Sequence, residues 1–154
     1  KLKESGLELS LYYVQVVDYL SEIAKALVHI TRPAYDHIDN NHKGLSSEQT
    51  DDLMHINDAV AEIYGNVNRM LTKNDFTEID TVLTMRDELF EHIAETMKSE
   101  LQRINEGVGN TKASMFYLTV MSETKTMVLQ ARNLLKSQRY FLEHAGVAKT
   151  WYRK

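Results

Sequence analysis

The sequence predicts an all-α protein: an elongated, antiparallel, up-down bundle of four long helices forming one domain over residues 1–154. Three observations predict it. Apolar side chains recur at steps of three and four along four long stretches. Six glycines and one proline in 154 residues leave little material for the tight turns of a multi-stranded sheet. Short polar junctions rich in capping residues separate the stretches. A hydrophobic content of 43% is enough for a core of this size.

The first helix is expected over about residues 7–40, with Leu9, Tyr13, Val16, Leu20, Ile23, Leu27, Ile30 and Ala34 as its inner stripe. Pro33 removes one backbone donor at a cost of about 3 kcal/mol in a helix interior, so a kink or a restart is expected near it, with Thr31 as a cap. "AYDHID" then adds one or two turns, and "NNHKGL" reverses the chain, with Gly44 supplying backbone freedom. Ser46 and Gln49 read as a capping box opening a second helix over about 47–73, lined by Leu53, Ile56, Val60, Ile63, Val67 and Met70. "TKNDFTE" stops that helix at Asn74 and starts the third over about 76–105, with Asp75 and Glu78 at its cap. Its stripe is Phe76, Ile79, Leu83, Phe90, Ile93, Met97 and Ile104, interrupted by Arg86. After the glycine-dense "NEGVGNTKAS", Asn110 or Thr111 can cap a fourth helix over about 112–144, lined by Tyr117, Met121, Thr124, Val128, Ala131, Leu135 and Leu142. Gly146 is expected to stop it, leaving a tail over 145–154 with Trp151 and Tyr152 among basic residues. Methionines and tyrosines lie mostly along these stripes and read as core packing.

With no cysteine, the chain has no disulfide, no thiolate zinc site and no thiol nucleophile, a composition that fits a reducing compartment. No apolar run approaches the ~20 residues of a membrane span, and "KLKESGLELS" lacks the apolar centre of a signal peptide. A start at Lys1 leaves open a piece of a longer chain or a trimmed tag. The net charge of -4 is divided unevenly: from Lys112 onward there are eight Lys/Arg against two Asp/Glu, and before it ten against twenty. A basic end of this kind suits either an anionic lipid surface or acidic neighbours within the bundle.

No phosphate-binding glycine loop, nucleophile elbow, HExxH or EF-hand pattern occurs, and no enzyme is expected. Four pairs share a helix face at a spacing of four: Asp18 with Glu22, Asp51 with His55, Asp87 with Glu91, and Glu88 with His92. The Glu-x-x-His spacing of di-iron bundles is missing. Asp18 and Glu123 fall close to inner stripes and therefore need partners, with Lys25, Lys125 or a cation as the candidates.

The phrases "YYVQVVDYLSEIAKALVHITRPAYDHIDNNHKGLSSEQ" and "YLTVMSETKTMVLQARNLLKSQRYF" resemble the C-terminal cytosolic region of bacterial sodium/phosphate cotransporters, which is similar to the phosphate-uptake regulator PhoU. The resemblance runs over nearly the whole chain, from about Leu9 to Glu143. It implies a PhoU-like helical module on the cytoplasmic side of the inner membrane, whose partner is the transporter core of the same polypeptide. It also implies a role in phosphate transport or its regulation. A regulatory protein, self-association, and membrane contact through the basic fourth helix and tail are further expectations; nucleic acid is not. A free-standing PhoU-like adaptor and a carboxylate-bundle metalloprotein are the alternatives. PhoU proteins carry an acidic residue followed four positions later by Asp as a metal-cluster motif. The matching positions here are Asp18 with Glu22, and Glu123 followed by Met127, whose thioether suits hard cations poorly. No cofactor is assigned, and Asp18, Glu22 and Glu123 are the only metal candidates. Arg32, His37, Asn41, His42 and Lys43, at one end of the bundle, are the candidate contacts to the transporter core or to a phosphate-like anion. A solvated helix end, where histidines and asparagines are common, is the reading favoured for them.

Overall fold

The computed structural model describes residues 2–144, and side chains over 10–143. Four helices make up the described chain: α1 (Leu2–Asp39), α2 (Ser47–Lys73), α3 (Ile79–Asn105) and α4 (Thr111–His144). No strand occurs among the described residues. Leu9 as a stripe position, the stop at Gly146 and the aromatic-basic tail lie outside the residues whose side chains are described.

The helices alternate in direction. Tyr12 packs against Tyr140 with ring centroids 5.2 Å apart, and at the other end His37 stacks on Phe116 at 5.3 Å, so α1 and α4 are antiparallel. Gln49 Nε2 donates to Glu100 Oε1 at 2.8 Å across the antiparallel α2–α3 pair. The Tyr117 hydroxyl donates to Asp52 at 2.8 Å and the Tyr64 hydroxyl to the Met127 carbonyl at 3.0 Å, which sets α4 parallel to α2. At 1.5 Å per residue, α1 and α4 are about 50 to 57 Å long.

The four helices do not surround one core. α2, α3 and α4 form a three-helix body whose centre is a continuous cluster around Ile63, Val82, Ile93, Met121 and Leu135. α1 lies along the opposite side of α4, which is its one extensive neighbour. The expected stripe of α4 is observed: Tyr117, Met121, Val128, Ala131 and Leu135 are each at most 1% exposed, and Thr124 is buried as well. That of α2 is also observed, with Ile56, Ile63, Val67 and Met70 buried. In α3 the seam also takes in Val82 and Leu89, and Arg86 sits at its edge bonded to Asp87.

The stripe expected for α1 needs correction. Tyr13, Leu20 and Leu27 are exposed, and the residues turned to α4 are Tyr12, Val16, Tyr19, Ile23, Ala26, Ile30 and His37. Val16, Ile23 and Ile30 belong to both the expected and the observed stripe, while Tyr13, Leu20 and Leu27 each lie one residue past the α4-facing Tyr12, Tyr19 and Ala26, about 100° round the helix. Asp18, expected beside the core, is exposed.

Helix ends follow local chemistry. Ser46 Oγ accepts from Gln49 N–H at 3.2 Å while Gln49 Oε1 accepts from Ser46 N–H at 3.0 Å, completing the expected capping box. Asn74 takes the left-handed conformation and ends α2. Asn110 Oδ1 accepts from the Ala113 N–H at 3.0 Å and starts α4. The third helix begins at Ile79, three residues later than Phe76, because Asp75 accepts from both the backbone and the hydroxyl of Thr77 and ties residues 75–77 into a turn. α1 runs through Pro33 without a restart. Thr31 is not a cap: its hydroxyl donates to the Leu27 carbonyl of the preceding turn at 2.9 Å. α4 holds both sides of the proline, through buried Ala26 before it and the His37–Phe116 stack after it.

Ile93 is fully buried at the centre of the three-helix body. Ile93→Ala is expected to lower unfolding stability by about 2 to 5 kcal/mol, read by urea denaturation with far-UV circular dichroism. A loss under about 0.5 kcal/mol, the size typical of a surface change, would contradict this packing.

Candidate functional site

One end of the body brings the α1–α2 turn beside the start of α4. Asn41, not Gly44, makes the reversal, with φ of 52°. The His42 N–H donates to the His37 carbonyl at 3.1 Å and the Asn41 N–H to the Ile38 carbonyl at 2.9 Å. This pair of bonds is a Schellman ending, which normally seals itself with an apolar contact between the residues that His37 and His42 occupy here. The two imidazoles make that contact, edge to face at 5.3 Å. His37 Nε2 lies 2.9 Å from the Lys43 carbonyl, so this nitrogen carries the proton and donates. Local helix-ending chemistry therefore fixes both rings.

The opposite wall is the first turn of α4. Lys112 Nζ approaches His42 Nε2 at 3.5 Å, and Phe116 covers the far face of the His37 ring. A cavity of about 320 Å³ opens between Pro33, Asp36, His37, His42, Lys112 and Met115. Partial loss of solvent, the Lys112 ammonium and the His37 ring together push the His42 pKa below its ordinary 6.5. Neutral His42 thus presents an acceptor nitrogen to Lys112, and the lining holds one ammonium, Lys112, and one carboxylate, Asp36.

Of the residues singled out from sequence, His37 and His42 meet here. Asn41 shapes the turn, and Lys43 contributes its carbonyl while its side chain stays exposed. Arg32 is exposed and does not line the cavity. Lys112 and Phe116 were not singled out. Up-down topology sets residues near 112 level with those near 40, and that was the signal for them.

A second polar region follows the groove between α2 and α3. His55 and His92 meet edge to face at 5.3 Å beside a cavity of about 380 Å³ that Glu62 and Glu88 also line. Further along, Glu48, Asp52, Glu95 and Glu100 share a cleft of about 280 Å³ with Arg103 and Tyr117. Buried Glu100 accepts from Gln49 and lies 3.9 Å from Arg103, and Arg103 also bonds Glu48 at 2.6 Å. Burial, with Asp52 as its acceptor, pushes the Tyr117 hydroxyl well above the ordinary phenol range, so it remains a neutral donor. Burial pushes Tyr64 up to about 12.

The metal candidates do not converge. Glu22 pairs with Lys25 at 2.7 Å on the exposed side of α1, and Glu123 faces His29 at 3.4 Å. No group of three His, Asp or Glu residues is arranged to hold a metal ion among the described residues. The residues present do not fit a multinuclear cluster of the kind the PhoU resemblance implies. No helix among the described residues is long and apolar enough to cross a membrane. No family model matches the chain, nor does any curated protein or solved structure.

Because the folded protein resists protonating His42, the unfolded chain binds more protons over the interval just below pH 6.5, and stability falls as pH drops through it. NMR titration is expected to give His42 a midpoint below 6.5, rising in Lys112→Gln as the neighbouring ammonium is removed. A midpoint at or above 6.5, or one that Lys112→Gln leaves unmoved, would contradict this geometry.

Proposed function

We propose that the chain is a non-enzymatic regulatory and interaction module of a sodium-dependent phosphate cotransporter, lying against the cytoplasmic side of the inner membrane and tuning transport. The observation that carries the interaction role is the built end of the bundle. His37, His42 and Lys112 come from two chain segments and converge on a small open cavity that Asp36 also lines. A cavity of this size, with the Lys112 ammonium as a charged donor, suits a phosphate-sized anion or an acidic side chain of a transporter loop. The phosphate-transport context comes from the resemblance of the first and fourth helices, "YYVQVVDYLSEIAKALVHITRPAYDHIDNNHKGLSSEQ" and "YLTVMSETKTMVLQARNLLKSQRYF". Sodium and phosphate would cross through apolar spans encoded with this module, while the module senses cytosolic conditions at its charged end.

The test is radiolabelled phosphate uptake by cells expressing the full gene, with and without this segment, and with Lys112→Gln. Uptake that still requires sodium but responds differently to internal phosphate is the expected outcome for both changes. A gene without apolar spans of ~20 residues, or uptake identical in all three strains, would contradict the proposal.

A further inference from the structure

α1 is divided lengthwise into three sectors. One packs on α4, and a second holds the charges, including Asp18, Glu22, Lys25, Arg32 and Asp36. The third carries no charge and is left exposed. From Val17 its positions advance by four and three through Leu20, Ala24, Leu27, Thr31 and Ala34 to Ile38, the repeat of a helix that packs lengthwise on another helix. The α4-facing set follows the same repeat one residue earlier. The two seams are therefore about 100° apart around one axis. Thr31 joins the free seam through its methyl group, since its hydroxyl is tied to the Leu27 carbonyl. Seven large apolar side chains on this sector are 46% to 75% exposed, with Tyr13 at 73% and Ile38 at 75% among them.

We propose that a second copy of this chain covers the free seam, its α1 lying antiparallel to the first. Side-chain size favours this pairing. Centred between Ala24 and Leu27, it sets Ala24 against Leu27, Leu20 against Thr31 and Val17 against Ala34, a large group opposite a smaller one in each of these three layers, with Tyr13 opposite Ile38 at the two ends. A parallel pairing in register would set Leu27 against Leu27 and Ala24 against Ala24, crowding one layer and leaving a gap in another. Charge favours it as well. Asp18 and Arg32 flank the seam on the side away from α4, and neither has an ion-pair partner among the described residues. Antiparallel pairing brings Arg32 of one copy level with Asp18 of the other on the same side of the seam, whereas parallel pairing puts the two charged flanks on opposite sides. The area suffices too: seven side chains at on the order of 100 Å² each give about 700 to 800 Å² per copy, the size of a specific interface. The inference stands apart from the phosphate reading and survives its failure.

Sedimentation velocity tests it over a dilution series up to about 100 µM. The wild-type chain is expected to dimerise, and Leu20→Lys/Leu27→Lys, changed only at exposed positions, to keep its helicity and associate at least tenfold more weakly. The chain has no cysteine of its own, so a mixture of Ala24→Cys and Leu27→Cys proteins is expected to form mixed disulfides faster than either protein alone. A wild-type chain monomeric at the highest concentration would overturn the proposal, as would one that instead floats as a monomer with vesicles of phosphatidylcholine and phosphatidylglycerol. Dimers that persist undiminished in the double-lysine variant, or single-cysteine proteins that cross-link faster alone than mixed, would overturn it equally.

Discussion

The fold depends on α4 being covered on two sides. One face closes the core with α2 and α3, where Tyr117, Met121, Val128 and Leu135 are removed from water. The other receives α1 from the Tyr12–Tyr140 pair to the His37–Phe116 stack. Each large apolar side chain fully buried along such seams contributes about 1.5 to 3 kcal/mol, so α4 joins both halves through many small increments. The same arrangement carries α1 past Pro33: packing on both sides outweighs one missing backbone bond.

The charged end of the bundle is a consequence of how its helices stop and start. A Schellman ending requires a contact across the turn, and using two histidines for it places imidazoles where most proteins place aliphatic groups. Asn110 then starts α4 beside that turn, which brings Lys112 against His42. Structural necessity and the proposed binding chemistry share the same atoms here. The acidic groove between α2 and α3 differs: its most buried carboxylate, Glu100, is already bonded to Gln49, so its polarity holds the hairpin together at that level.

Much of this was legible in the sequence where one helix face had one role. The stripes of α2 and α4, the Ser46–Gln49 capping box and the left-handed stop at Asn74 follow from spacing and residue type alone. α1 was misread because it has two apolar seams, and a single stripe fitted to both passes between them, taking Val16 and Ile23 from one and Leu20 and Leu27 from the other. Periodicity gives the angular position of apolar residues, but not which of two faces a neighbour covers. The later start of α3 was missed for a local reason, since the Asp75–Thr77 turn competes with the helix for the same backbone donors. At the bundle end, His37 and His42 were visible as a cluster, while Lys112 and Phe116 required the register of α1 on α4.

If α4 is the shared element and α1 rests on it alone, stability must be uneven along the chain. Native-state hydrogen exchange at concentrations where sedimentation shows a monomer measures this directly. The account predicts that core amides of α2, α3 and α4 exchange only through global unfolding, while α1 amides open at lower free energy, first near Pro33. Equal protection of α1 and α4 in the monomer, or loss of α2 and α3 before α1, would contradict it.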